Sequence, residues 1–316
     1  MSFDLAALAK AVAAQGCVVR LVVAAVEGSA PREVGAAMLV WRGGHSGTIG
    51  GGALEFAAMA AAARLLEGGA TRWQERVALG PGLGQCCGGS VRLLYEVWDA
   101  ASLPGLSGDV VARAVGDGPM PLAVQRMLTA ARGAGVLPKP GLTGGWMVEP
   151  VSRAKHVLWV WGAGHVGRAL VSVLAPLPDV RLRWIDVDRA RFPAVVPDGV
   201  TIATKPAELV AQAGPGDHHL IVTYSHALDL DLCHRLLQRG FATCGLIGSA
   251  TKWARFRGRL AALGHAPDAI SCITCPIGDP SLGKHPQAIA IGVAWALMAR
   301  WQGGEAVGGT DRKRRA

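Results

Sequence analysis

Val157-Leu158-Trp159-Val160-Trp161-Gly162-Ala163-Gly164-His165-Val166-Gly167-Arg168-Ala169-Leu170 is the stretch that decides the fold. An apolar run precedes the glycines, a helical pattern follows them, and Asp186 ends the next apolar run, 19 residues past Gly167. A dinucleotide-binding turn needs this context. Its glycines give the tight turn and the close phosphate approach, the helix N-terminus faces the phosphates, and the carboxylate takes a ribose hydroxyl. The same glycines could also serve only to pack helix on strand, leaving His165 and Asp186 as plain loop residues, because one fold hosts many ligands.

Working outward, the second half alternates strands (156–161, 181–185, 220–222, 242–246) with helices (166–174, 228–238, 251–263). That alternation predicts a Rossmann-like doubly wound parallel sheet over residues 156–301, with a last helix, 286–301, packed on it. Residues 302–316 read as a disordered basic tail. Upstream, residues 1–100 show a helix at 4–15, strands at 18–26, 36–41 and 45–49, a helix at 53–66, and strands at 77–79 and 91–98. Glycine-rich loops lie at 50–52 and 80–89, so the first domain reads as a small mixed α/β unit. Residues 101–155, rich in glycine and proline and without a sustained period, read as a connecting segment with one or two short elements.

The 316 residues carry 32 basic and 23 acidic side chains, a formal charge of +9, with 51% hydrophobic residues. The apolar content excludes a disordered chain, and seven cysteines over this length exclude a disulfide scaffold. No membrane crossing is expected, since the longest apolar stretch, 288–299, is too short. The opening residues lack a signal peptide's basic and apolar regions, and the odd cysteine count fits a reducing compartment, so a cytoplasmic location is expected. The first hundred residues are neutral; the excess charge lies in the connection, the second half and the tail. There is no basic stripe with interleaved aromatics, so a nucleic-acid partner is not expected.

Four further features could carry chemistry. Cys86-Cys87, flanked by Gln85 and Gly88-Gly89, is exposed enough by its glycines to meet a partner, carry sulfur or ligate a soft metal, or it simply fits a crowded loop. Cys272-x-x-Cys275 has half-zinc-site spacing, but nothing completes the site, so no structural metal is expected. Cys17, Cys233 and Cys244 read as core. Gly50-Gly51-Gly52, with Glu55 one turn into the helix, offers backbone N–H groups to an anion. Thr223-Tyr224-Ser225-His226 follows a parallel strand and so faces the crevice at the strand ends, making His226 a candidate ligand contact. His218-His219, before that strand, read as surface residues.

Together these stretches resemble one family. Six ordered motifs, Gly28–Met38, Gly47–Glu55, Leu79–Gly89, Gly162–Gly167, Gly245–Lys252 and Cys275–Gly278, are similar to those of the XdhC family of xanthine dehydrogenase accessory proteins, related to the CoxI proteins. The resemblance spans about 20–100 and 156–300. Two features depart from it: Asp279 stands where an apolar residue is more usual, and the basic tail has no counterpart. The resemblance implies a non-catalytic chaperone. Such a protein binds the molybdenum cofactor transiently in its molybdopterin form, protects it during sulfuration with a cysteine desulfurase, and inserts it into apo xanthine dehydrogenase. Self-association is expected on the same ground. Carried over by motif, the candidate cofactor contacts are Gly50, Gly51, Gly52, Glu55, Cys86, Cys87, Gly162, Gly164, His165, Gly167 and His226, with Asp186 added from the turn. The alternative is an NAD(P)-dependent oxidoreductase using the same turn, against which no Tyr-x-x-x-Lys or His-Asp set is visible in the second half.

Overall fold

The structure is a computed structural model describing residues 2–80 and 88–302. It divides into two compact units, Met1–Arg153 and Ala154–Ala316.

In the first unit, α1 (Leu5–Gln15) starts at Asp4, whose carboxylate accepts the Ala7 N–H at 2.8 Å. Strands β1 (Val18–Glu27), β2 (Ala37–Trp41) and β3 (Gly44–Gly47) come next, followed by α2 (Gly52–Glu67), β4 (Arg72–Ala78) and β5 (Ser90–Trp98). They form an antiparallel sheet of order β3-β2-β1-β5-β4. The central strand β1 is apolar on both faces for a reason. Val19, Leu21 and Val23 pack against Leu54, Ala58 and Ala61 of α2, whereas Val22 and Ala24 meet Leu94 and Met147 on the opposite side.

That opposite side corrects the expectation for residues 101–155. Residues 101–153 hold β6 (Val110–Ala114), α3 (Leu122–Ala134), β7 (Gly141–Thr143) and β8 (Trp146–Pro150), and they belong to the first unit. The strands make a second antiparallel sheet, β6-β8-β7. Between the sheets lies a buried ionic network. Arg20 of β1 forks onto Glu149 of β8 at 2.7 and 3.0 Å, and Arg113 of β6 joins Glu96 of β5 at 2.8 Å and Glu149 at 2.5 Å. The Phe3 ring lies against both guanidinium groups, at 4.3 and 4.9 Å. The charged residues at the centre of this contact break the apolar period that sequence reading depends on.

In the second unit the elements run β9 (His156–Trp161), α4 (His165–Leu174), β10 (Val180–Asp186), β11 (Val200–Ile202), β12 (His218–Ile221), α5 (His226–Arg239) and β13 (Thr243–Leu246). They continue through α6 (Ala250–Ala262), α7 (Pro267–Ser271), β14 (Ile273–Thr274) and α8 (Pro286–Trp301). All six strands are parallel, in the order β11-β10-β9-β12-β13-β14. Helices cover both faces. Leu158 and Val160 face α4 and α8, while Trp159 and Trp161 face α5 and α6. The expected Rossmann-like parallel sheet is present. Strands β11 and β14 and helix α7 are too short to show a period and were not expected.

His218 and His219 are buried, not surface residues. The Trp301 indole can only donate, and it reaches His218 Nε2 at 3.0 Å, so that nitrogen accepts and Nδ1 carries the proton toward Thr243 Oγ1 at 2.9 Å. Burial, with His156 and Arg300 nearby, pushes the His218 pKa down to about 4, and burial pushes that of His219 to about 4 as well. Among the cysteines, Cys233 and Cys244 are core as expected and burial raises both thiols, Cys233 to about 12; Cys17 is exposed, contrary to expectation.

Candidate functional site

In the second unit the turn from β9 into α4 lies at the end of the strand where the order reverses, with β10 on one side and β12 on the other. Its three glycines have different work. Gly162 has φ +117°, and a Cβ there would meet Val222 O at 2.5 Å; a Cβ on Gly167 would lie 2.0 Å from Gly162 O. Both are required by packing of the turn, its helix and β12. Gly164 has nothing within 4 Å of a Cβ, so it faces open space at the crevice. It is also the N-cap of α4 and provides no capping side chain, which leaves the helix's first N–H groups without a side-chain partner. His165 is exposed at the first helical position.

Asp186 is placed at the tip of β10 but is turned inward. Its Oδ2 accepts Ala163 N at 2.6 Å and Arg191 Nε at 2.8 Å, its Oδ1 accepts Val187 N at 2.7 Å, and the residue is 4% exposed. The carboxylate ties the glycine turn to the loop after β10 and does not present a free acceptor to a ribose. His226 begins α5 at the same edge, exposed and edge-on to Phe256, with Ser225 capping the helix by accepting Leu228 N.

Sequence reading missed a buried group beside them. Lys252 Nζ donates to Asp229 Oδ2 at 2.5 Å and to Ile247 O at 2.9 Å, and Thr223 Oγ1 donates to Asp229 Oδ1 at 2.6 Å. Asp229 is fully buried and the Lys252 side chain is 11% exposed. Cys275 lies against Gly248, where a Cβ would come within 2.8 Å of Lys252 Cδ and 3.3 Å of Cys275 Sγ. Burial pushes the Cys275 thiol up to about 11 against the pull of Lys252, so it stays protonated at neutral pH. Two late motifs, Gly245–Lys252 and Cys275–Gly278, thus meet at one place. The only hint in the sequence was their separate appearance as motifs. Asp279 caps a short 3-10 turn by accepting Ser281 N at 2.8 Å, which accounts for a polar residue there.

The glycine loop of the first unit is already filled by the protein's own anion. Glu55 Oε2 accepts Ile49 N at 3.0 Å, Gly51 N at 3.1 Å and the Thr48 hydroxyl. Burial alone would raise its pKa; the Thr48, Ile49 and Gly51 bonds outweigh that and hold it below the usual range. Gly50, at φ +129°, is required by Pro31, whose Cβ would be 2.6 Å from an added Cβ. Gly52 opens α2. The backbone N–H groups of Ile49 and Gly51 are thus already taken by Glu55, whereas the start of α4 at Gly164 has no side-chain cap. Cys86 and Cys87 lie outside the described residues. Among the described residues no group of three or more His, Cys, Asp or Glu could hold a metal ion, and no helix is long and apolar enough to cross a membrane.

Fold and turn define a two-unit protein whose second unit has the dinucleotide-binding architecture. The description "XdhC Rossmann domain" matches residues 158–296 and "XdhC and CoxI family" matches residues 11–78. The chain belongs to the XdhC family. A solved structure described as a xanthine dehydrogenase from Bacillus halodurans has the same fold, with a TM-score of 0.65 at 20% identity over 98% of each chain. Two others align over the following shares only. A meso-dapdh mutant from Clostridium tetani E88 has 8% identity over 36% of this chain and 34% of its own, with a TM-score of 0.27. The oxidoreductase ylbE from Lactococcus lactis has 20% identity over 37% and 58%, with a TM-score of 0.23. No curated protein matches the sequence.

Proposed function

We propose that this chain is a maturation factor for xanthine dehydrogenase: it binds the molybdenum cofactor in its molybdopterin form, shields it during sulfuration, and passes it to the apoenzyme without catalysing turnover itself. The observation that carries this reading is the open face of the β9–α4 turn in a chain of the XdhC family. Gly164 and the uncapped start of α4 would hold the cofactor's phosphate, with His165 and His226 at the same edge of the sheet to contact its ring system. When bound, that group supplies the molybdenum redox chemistry that the apoenzyme needs; this chain's residues bind, orient and exclude water. The oxidoreductase alternative is weakened by Asp186, whose oxygens are all engaged within the protein.

A cysteine desulfurase as sulfur donor and self-association belong to the same proposal. The adjacent thiols of Cys86 and Cys87, between glycines in the sequence, would suit a sulfur-bearing step. The direct test is co-purification with apo xanthine dehydrogenase followed by pterin analysis, alongside gel filtration with NADH. Retained pterin and activated dehydrogenase are expected. Retained NADH with substrate-dependent oxidation and no retained pterin would overturn the reading. Cys86→Ala and Cys87→Ala should lower cofactor delivery with the fold intact; full activation of co-expressed dehydrogenase by the double variant removes the thiols from the mechanism.

A further inference from the structure

We propose that Arg191 and Tyr224 form a receptor for a phosphate monoester at the mouth of the second unit's crevice. Arg191 follows β10 and Tyr224 follows β12, the two neighbours of β9, so their contact reaches across the end of the strand where the sheet order reverses. The guanidinium carbon lies 4.3 Å from the centre of the tyrosine ring. Its Nε is fixed by Asp186 at 2.8 Å, and its two terminal amino groups make no hydrogen bond among the described residues. The Arg191 side chain is 30% exposed and Tyr224 is 66% exposed. A guanidinium that lies over a ring, is aimed by a buried carboxylate and keeps a two-nitrogen edge without a partner among the described residues matches a phosphate in both charge and shape.

The surrounding groups favour the same ligand. Asp186, which in a diol-binding site would accept two hydroxyls, spends its acceptors on Ala163, Val187 and Arg191. A neutral ribose diol would have to displace Arg191, whereas a phosphate adds to the arrangement as it stands. Arg168 and Arg189 flank the loop and bond to backbone carbonyls, the first to Ala163 O and Arg191 O, the second to Pro193 O and Ala194 O. Asp188 is committed to capping the turn at Ala190 N. Asp186 Oδ2 joins Ala163 N of the glycine turn to Arg191 Nε, so on the pterin arm the uncapped start of α4 and Arg191 would share one phosphate.

The phosphate could belong to the ribose of an NADP-type dinucleotide or to a pterin side chain; the pterin arm rests on the function proposed above. Two probe pairs separate the sources: NADP+ against NAD+, and molybdopterin before and after phosphatase treatment. Binding to the full chain is followed by tryptophan fluorescence for the nucleotides and by pterin retention on gel filtration. In at least one pair the phosphorylated member should bind about tenfold tighter or better. Arg191→Gln should abolish that preference. Tyr224→Leu, an exposed change that keeps the Arg191–Asp186 pair, should reduce it. If Arg191→Gln fails to fold, Arg191→Lys, which keeps the charge but not the fork, and Tyr224→Leu decide, each expected to weaken the preference.

Equal binding within both pairs, no binding in either, or a preference unchanged in the folded variants overturns the receptor. The two proposals fail separately. Pterin retained equally with and without its phosphate, and no preference for NADP+, sinks the receptor and leaves the chaperone. A preference for NADP+ without pterin retention does the reverse.

Discussion

At the residue scale the three glycines of the β9–α4 turn give opposite predictions. A Cβ at Gly164 meets nothing within 4 Å, so for Gly164→Val melting should be nearly unchanged while ligand binding is lost to the added bulk. Gly162→Ala must displace Val222 O from 2.5 Å at a positive φ, so it should lower the melting temperature markedly by circular dichroism. Ligand retention by Gly164→Val would make the turn scaffold only. The motif was legible because glycine spacing is local, but which glycine is packed and which is open depends on Val222, 55 or more residues away. Lys252 and Asp229 were illegible for the same reason: each is an ordinary helix residue until α5 and α6 bring them together. Lys252→Met strands a fully buried carboxylate and should cost about 3–5 kcal/mol in a urea titration. Lys252→Met with Asp229→Leu should cost less than the sum of the two single changes, because neither charge is then left alone. A strictly additive result would mean the pair is not coupled.

Among the elements, β12 carries the strongest pH dependence. Its His218 and His219 have pKa values near 4 when folded and about 6.5 when unfolded. The unfolded chain therefore binds more protons between those values. The stability these rings contribute is complete above about pH 6.5 and is lost as pH falls toward 4, by up to about 1.4 kcal/mol per pH unit for each ring. Urea midpoints at pH 7.5, 6 and 5 should fall in that order, and His218→Asn should flatten the slope. Unchanged midpoints between pH 7.5 and 5 would place the rings in solvent. Glu149 adds a lower step: burial raises its pKa, but Arg20 and Arg113 pull it below the usual range, so its contribution is lost only as pH drops beneath about 4.5. Sequence pattern placed the long elements well, since α8 and β9 have an apolar period or run of their own. It misread residues 101–153, where β6 and β8 meet β1 and β5 through a buried charged cluster, and it misread the histidine pair, whose polarity hides an interior position.

For the whole molecule, the charge of +9 divides unevenly between the units. Residues 1–153 carry thirteen basic and eleven acidic side chains, and residues 154–302 fifteen and ten. The second unit is the more basic of the two, which raises its positive potential and favours anions near it. Each unit also has its own interior. In the second, separate apolar clusters fill the two faces of the parallel sheet, with Leu158, Trp184 and Leu297 in one and Trp161, Leu236 and Phe256 in the other. A unit that buries both faces of its sheet with its own helices needs no outside cover, so residues 154–302 expressed alone should fold cooperatively. Circular dichroism and a sigmoidal urea transition check the folding, and binding of phosphorylated probes checks the crevice. Because Gly164, Arg191 and Tyr224 all lie within this fragment, its preference for phosphate should match that of the full chain and weaken as salt rises. A fragment that folds but has lost the preference would show that Gly164, Arg191 and Tyr224 do not carry it by themselves.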